Sequence, residues 1–165
     1  MVFVFILLAI GVWLACGRPK KGFLHDFAKL LDRPEFVDGL GNRLIRRSFL
    51  KGEFRGRKVV ILLQNGRRRS PRRIVVSMET HATATMETYD FGGYRADRET
   101  ELALFALEVK HELTLRHSDR CLKAKWVPQQ WSSLLTFPPL FEPSKWQFVL
   151  EGMSMLAGSL ERRAA

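Results

Sequence analysis

The chain has 165 residues, of which 46% are hydrophobic and 27% charged, with a formal net charge of +10. That apolar fraction excludes a disordered chain, and the length excludes two comfortable domains once a membrane segment is set aside. Two cysteines, Cys16 and Cys121, fall on opposite sides of the expected membrane boundary and exclude a disulfide framework.

The first element is residues 1–17. Met1 to Cys16 holds no charged side chain, and Arg18, Lys20 and Lys21 close the run. As a helix it would rise about 24 Å, short of the roughly 30 Å hydrocarbon core of a bilayer. Phe3, Phe5, Leu7, Leu8, Ile10, Trp13 and Leu14 are its expected lipid-facing residues. No basic residue precedes the apolar run, whereas three follow it. By the positive-inside rule this pattern favours an uncleaved single-pass anchor with the remaining residues in the cytoplasm. The alternatives are a cleaved signal and lipidation of Cys16, since Trp13-Leu14-Ala15-Cys16 resembles a bacterial lipoprotein cleavage site. Either alternative makes the mature protein periplasmic or secreted.

Residues 18–41 read as a juxtamembrane helix and turn. Phe23, Phe27, Leu30 and Leu31 recur at helical spacing until Pro34, and Phe36 to Asn42, with Gly39 and Gly41, reads as a turn.

Residues 42–165 read as one soluble α+β domain. Leu50, Gly52 and Phe54 alternate with charged residues, and Val59 to Leu63 is an aliphatic run. Gly56-Arg57 is the expected turn between them. Asn65-Gly66 opens a loop rich in arginine, after which Ile74, Val76, Met78 and Thr80 alternate as a third strand. Ala82 to Tyr94 is ambiguous, with Thr and Tyr favouring extended structure.

Asp97 is placed to cap a helix whose apolar residues are Leu102, Phe105, Ala106 and Val109. A hairpin follows, with Leu113 and Leu115 facing Leu122, Ala124 and Trp126 across a turn at His117 to Arg120. Ser144 and Gln147 read as a capping box for a last helix, whose stripe is Trp146, Val149, Leu150, Met153, Ala157 and Leu160. The expected fold is an antiparallel sheet of about five strands with helices on one face, preceded by a transmembrane helix.

The charge is localised. Asn42 to Val75 holds twelve Lys or Arg residues and one acid, Glu53, while the rest of the chain has 15 basic and 16 acidic residues. The basic set is Arg43, Arg46, Arg47, Lys51, Arg55, Arg57, Lys58, Arg67, Arg68, Arg69, Arg72 and Arg73. It is expected to form a patch, with Arg47, Lys51 and Arg55 along one strand face. Anionic lipid headgroups or an acidic protein suit that patch, and a nucleic-acid backbone is the alternative polyanion. The bland reading is a solvated basic face.

Catalytic templates fail on inspection, so neither an enzyme nor a cofactor is expected. Gly39-Leu40-Gly41-Asn42-Arg43-Leu44 lacks the third glycine of a dinucleotide loop. His111-Glu112 begins a zinc-protease pattern, but Leu115 stands where its second histidine belongs. Ser154 lies in the helical stripe between Gly152 and Leu156, away from any strand-to-helix elbow. The histidines His25, His81, His111 and His117 are too scattered for a metal-ligand set and read as surface residues. Cys121, between Arg120 and Lys123, is the one candidate reactive thiol.

Gly52-Glu53-Phe54-Arg55-Gly56-Arg57-Lys58-Val59 resembles the hairpin of uncharacterised bacterial membrane-anchored domains. The resemblance implies the same order of hairpin, Leu-rich helix, second hairpin and C-terminal helix. It implies no activity.

Overall fold

A computed structural model describes residues 22–38, 48–64, 73–82, 98–118, 120–127 and 141–164. They form an α+β domain built on a six-stranded, wholly antiparallel sheet in the order β1-β2-β3-β4-β6-β5. The strands are β1 (Asp32–Asp38), β2 (Ser48–Phe54), β3 (Arg57–Gln64), β4 (Arg73–Glu79), β5 (Leu113–Ser118) and β6 (Cys121–Trp126). Helix α1 covers 22–28, α2 is Arg98–Phe105 and continues as a π-helical turn, Ala106–Lys110, and α3 is Pro143–Ala164. No helix among the described residues is long and apolar enough to cross a membrane, and residues 1–17 lie outside them.

Alternation gives the sheet two unlike faces. One carries Leu50, Val59, Ile61, Ile74, Val76, Met78, Leu113, Leu115, Leu122 and Ala124, all buried. The helices supply the other half of this core. In α3 the expected stripe of Trp146, Val149, Leu150, Met153, Ala157 and Leu160 is buried, joined by Leu156. Phe23 and Phe27 of α1, Phe141, Trp146 and Trp126 of β6 pack ring against ring, with centroids 5.0–6.0 Å apart. This aromatic cluster locks α1 and α3 to the sheet.

The structure corrects the sequence reading at six points. The sheet has six strands because Asp32–Asp38 is a strand, so Phe36 to Asp38 is not part of a turn; residues 39–42 are outside the described set. Pro34 is tolerated there because β1 is an edge strand, and a bulge between Asp32 and Glu35 accommodates it. Residues 22–38, expected as a juxtamembrane helix and turn, therefore add α1 and an edge strand to the same core. The first hairpin turns on Arg55-Gly56, both at positive φ (50° and 75°), and Arg57 already belongs to β3, opposite Phe54. Two positive φ values in succession are the signature of a type I′ turn. The capping box does not form, since α3 starts at Pro143 and the Gln147 side chain runs forward to donate to Glu151. His117 belongs to β5 and is fully buried, so it is not a surface residue. Finally, α2 buries Thr100, Ala103 and Leu104, and the π-turn buries Leu107, while Leu102, Phe105 and Val109 are 61–63% exposed.

Candidate functional site

The second face of the sheet is where the surface cations gather. Strand register assembles it in rows. One row runs Glu35–Lys51–Val60–Ser77–Lys123–Arg116 across β1, β2, β3, β4, β6 and β5. The adjoining row is Val37–Phe49–Leu62–Val75–Lys125–Thr114. Val60, Leu62, Val75 and Phe49 are half-buried, and Lys51, Lys123 and Arg116 are exposed. The half-buried apolar residues Val60, Leu62 and Val75 thus lie on the strands between Lys51 on one side and Lys123, Lys125 and Arg116 on the other. Three strand spacings separate Lys51 from Lys123, about 14 Å. The Lys51 ammonium lies 5.5 Å from the centroid of the Phe49 ring. A third row, Glu53–Lys58–Glu79–Cys121, is mixed in sign, and Lys58 reaches Glu79 at 3.6 Å. Antiparallel sheets commonly leave one face to solvent, and the described helices pack on the opposite side.

Of the twelve cations expected to act together, five are among the described residues, and the geometry sets these five apart from one another. Lys51, Lys58 and Arg73 lie on the face opposite the described helices, the Arg73 Nε–H donating to the side-chain amide oxygen Oε1 of Gln64 in the neighbouring strand. Arg55 sits in the turn and meets Glu151 of α3 at 3.3 Å. Arg57 points to the helix side, where its guanidinium grips the Glu161 carboxylate at 2.5 and 2.7 Å. Arg43, Arg46, Arg47, Arg67, Arg68, Arg69 and Arg72 lie outside the described residues, as do all seven anchor residues from Phe3 to Leu14. Sequence reasoning missed Arg116, Lys123 and Lys125, because beyond Val75 basic and acidic residues balance along the chain and no local excess marks them. Their alternation with Leu115, Leu122 and Ala124 was the available signal.

Two polar constellations lie on the helix side. The Glu161 carboxylate also accepts from the His81 backbone N–H at 2.8 Å, and its pKa is pulled down to about 2, chiefly by the Arg57 hydrogen bonds. This is a clamp between β3, the end of β4 and α3. At the other end, Lys145 stands 3.8 Å over the Trp126 ring, and burial lowers its pKa. Burial, then the charges of Lys145 and Lys110, lowers that of His111. His117 meets the Thr80 hydroxyl at 3.0 Å and is held neutral by burial. Among the described residues no three His, Cys, Asp or Glu side chains cluster as a metal site. Cys121 is half-buried on the sheet face opposite the described helices. No protein-family model matches the chain, and neither do curated proteins or solved structures.

Proposed function

We propose that this is a non-catalytic domain tethered to the membrane through residues 1–17, on the cytoplasmic side, whose sheet face opposite the described helices binds anionic phospholipid headgroups. The supporting observation is the register that sets Lys51 on one side of half-buried Val60, Leu62 and Val75 and Lys123, Lys125 and Arg116 on the other. Each Lys or Arg brought close to an anionic leaflet contributes about 1 kcal/mol, and half-buried Val60, Leu62 and Val75 can settle among the headgroups. A tether favours lipid over nucleic acid, because a bilayer then supplies phosphates at high local concentration.

The test is flotation of residues 18–165, which lack the apolar run, with neutral and with anionic vesicles at low salt. Recovery with anionic vesicles only, lost when Lys51, Lys123 and Lys125 are changed to Glu, is the expected result. Equal recovery with both vesicles overturns the lipid reading. DNA or RNA binding with a steep salt slope and no lipid preference would replace it by polyanion binding.

A further inference from the structure

Helix α2 and its π-helical extension have two apolar sides. Ala103, Leu104 and Leu107 face the core, where a Cβ on Gly152 of α3 would stand 3.0 Å from the Leu107 side chain. On the opposite side Leu102, Phe105 and Val109 are 62%, 63% and 61% exposed, at helical spacing. Phe148 of α3 is 39% exposed beside the end of this stripe, its ring 5.2 Å from that of His111. Single exposed apolar side chains are ordinary on a protein surface, but a contiguous stripe of Leu, Phe and Val beside a second Phe marks an interaction surface.

The flanking charges say what covers it. Arg98, Glu99 and Glu101 lie at the start of the segment, and Glu108 and Lys110 at its end. Three acids against two bases make this a poor match for an anionic bilayer, since interfacial helices carry Lys and Arg beside their apolar face. A second copy in antiparallel orientation fits better. Glu99 lies six residues before Phe105 and Lys110 five residues after it, so the point midway between them falls beside Leu104 and Phe105. A two-fold axis beside Phe105 therefore brings Lys110 of each copy to Glu99 of the other, twice over. Parallel packing would instead set Glu99, Glu101, Glu108 and Lys110 each against itself. The basic sheet face of another copy would attract these acids too, but that contact is heterologous and does not close.

We infer that the chain forms a two-fold homodimer in which the Leu102–Phe105–Val109 stripes pack antiparallel, framed by reciprocal Glu99–Lys110 pairs. The interface is independent of the lipid-binding reading. Its test is sedimentation equilibrium of the full-length chain in density-matched detergent, where the protein mass should be twice 19.1 kDa. Phe105→Glu with Val109→Glu changes only exposed positions, so the far-ultraviolet spectrum should be unchanged while dissociation becomes at least roughly tenfold easier, or about 1.4 kcal/mol. Lys110→Glu should weaken the dimer, and adding Glu99→Lys to it should restore association. Phe36→Glu, at an exposed position on the β1 edge, is the control and should leave the mass unchanged. A wild-type monomer mass, or a dimer indifferent to the double variant, overturns the inference. A dimer that Glu99→Lys does not rescue overturns the antiparallel arrangement.

Discussion

Glu161 joins three parts of the chain through one carboxylate, and the geometry sets its worth apart from that of the other ion pairs. Its side chain is 22% exposed and that of Arg57 17%, whereas Arg55 and Glu151 are 57% and 36% exposed. Exposed pairs contribute between 0 and about 1 kcal/mol, while removing one partner of a sheltered pair leaves the other charge without its counter-ion. Glu161→Gln keeps the shape and discards the charge, so it should cost about 1–2 kcal/mol in urea denaturation. Glu151→Gln should fall within about 0.5 kcal/mol of wild type. The Arg55 backbone is a separate matter. Its φ of 50° carries the left-handed penalty that Asn bears more easily, and Asn-Gly is the preferred pair for a type I′ turn. Arg55→Asn should therefore raise stability by about 0.5–1 kcal/mol, the exposed Glu151 contact notwithstanding.

At the scale of elements, the strands from β2 to β6 and helix α3 were legible, because alternation and the 3.6-residue stripe each matched one buried face. Two elements were misread for physical reasons. Edge strand β1 has neither clean alternation nor a proline-free run, and only the sheet edge makes Pro34 admissible. In α2 the larger apolar residues, Leu102, Phe105 and Val109, dominate the periodicity, yet the core takes Ala103, Leu104 and Leu107. A helix with two apolar sides gives periodicity no means of choosing between them. The candidate face was half legible for a related reason: charge density along the chain is one-dimensional, whereas register alone joins Lys51 to Lys123. The close approach of Leu31 and Asp32, at the start of β1, to Gly52 of β2 leads to a further prediction. A Cβ at Gly52 would lie 2.9 Å from Leu31 Cβ and 3.2 Å from the Asp32 carbonyl oxygen. Backbone at that distance cannot step aside as a side-chain tip can. Gly52→Ala should destabilise the domain by about 1–3 kcal/mol and lower its thermal midpoint.

The molecule as a whole should lose stability in two steps on acidification, each set by a different group. His117 is fully buried on the core face of β5, paired with Leu122 across the hairpin, and burial lowers its pKa from 6.5. A folded-state pKa below the unfolded value means the unfolded chain binds the proton first. The stability that neutral His117 supports is thus complete above about pH 6.5 and erodes below it, at up to about 1.4 kcal/mol per pH unit for one proton. His111, shifted in the same direction, adds to this first decline. Glu161 behaves as the opposite charge type: its pKa falls from 4.5 to about 2, so its contribution is complete above pH 4.5 and disappears between there and pH 2. Urea midpoints measured from pH 8 to pH 3 should show a plateau, a first fall beginning near pH 6.5 and a second near pH 4.5. His117→Leu should reduce the first fall to the part that His111 contributes, without touching the second. The Thr80 hydroxyl keeps an acceptor in that variant, the Ala82 carbonyl at 3.5 Å. Glu161→Gln should remove the second fall alone. A midpoint constant from pH 7 to pH 5 would mean that His117 accepts its proton inside the folded domain, and that burial in β5 does not hold it neutral.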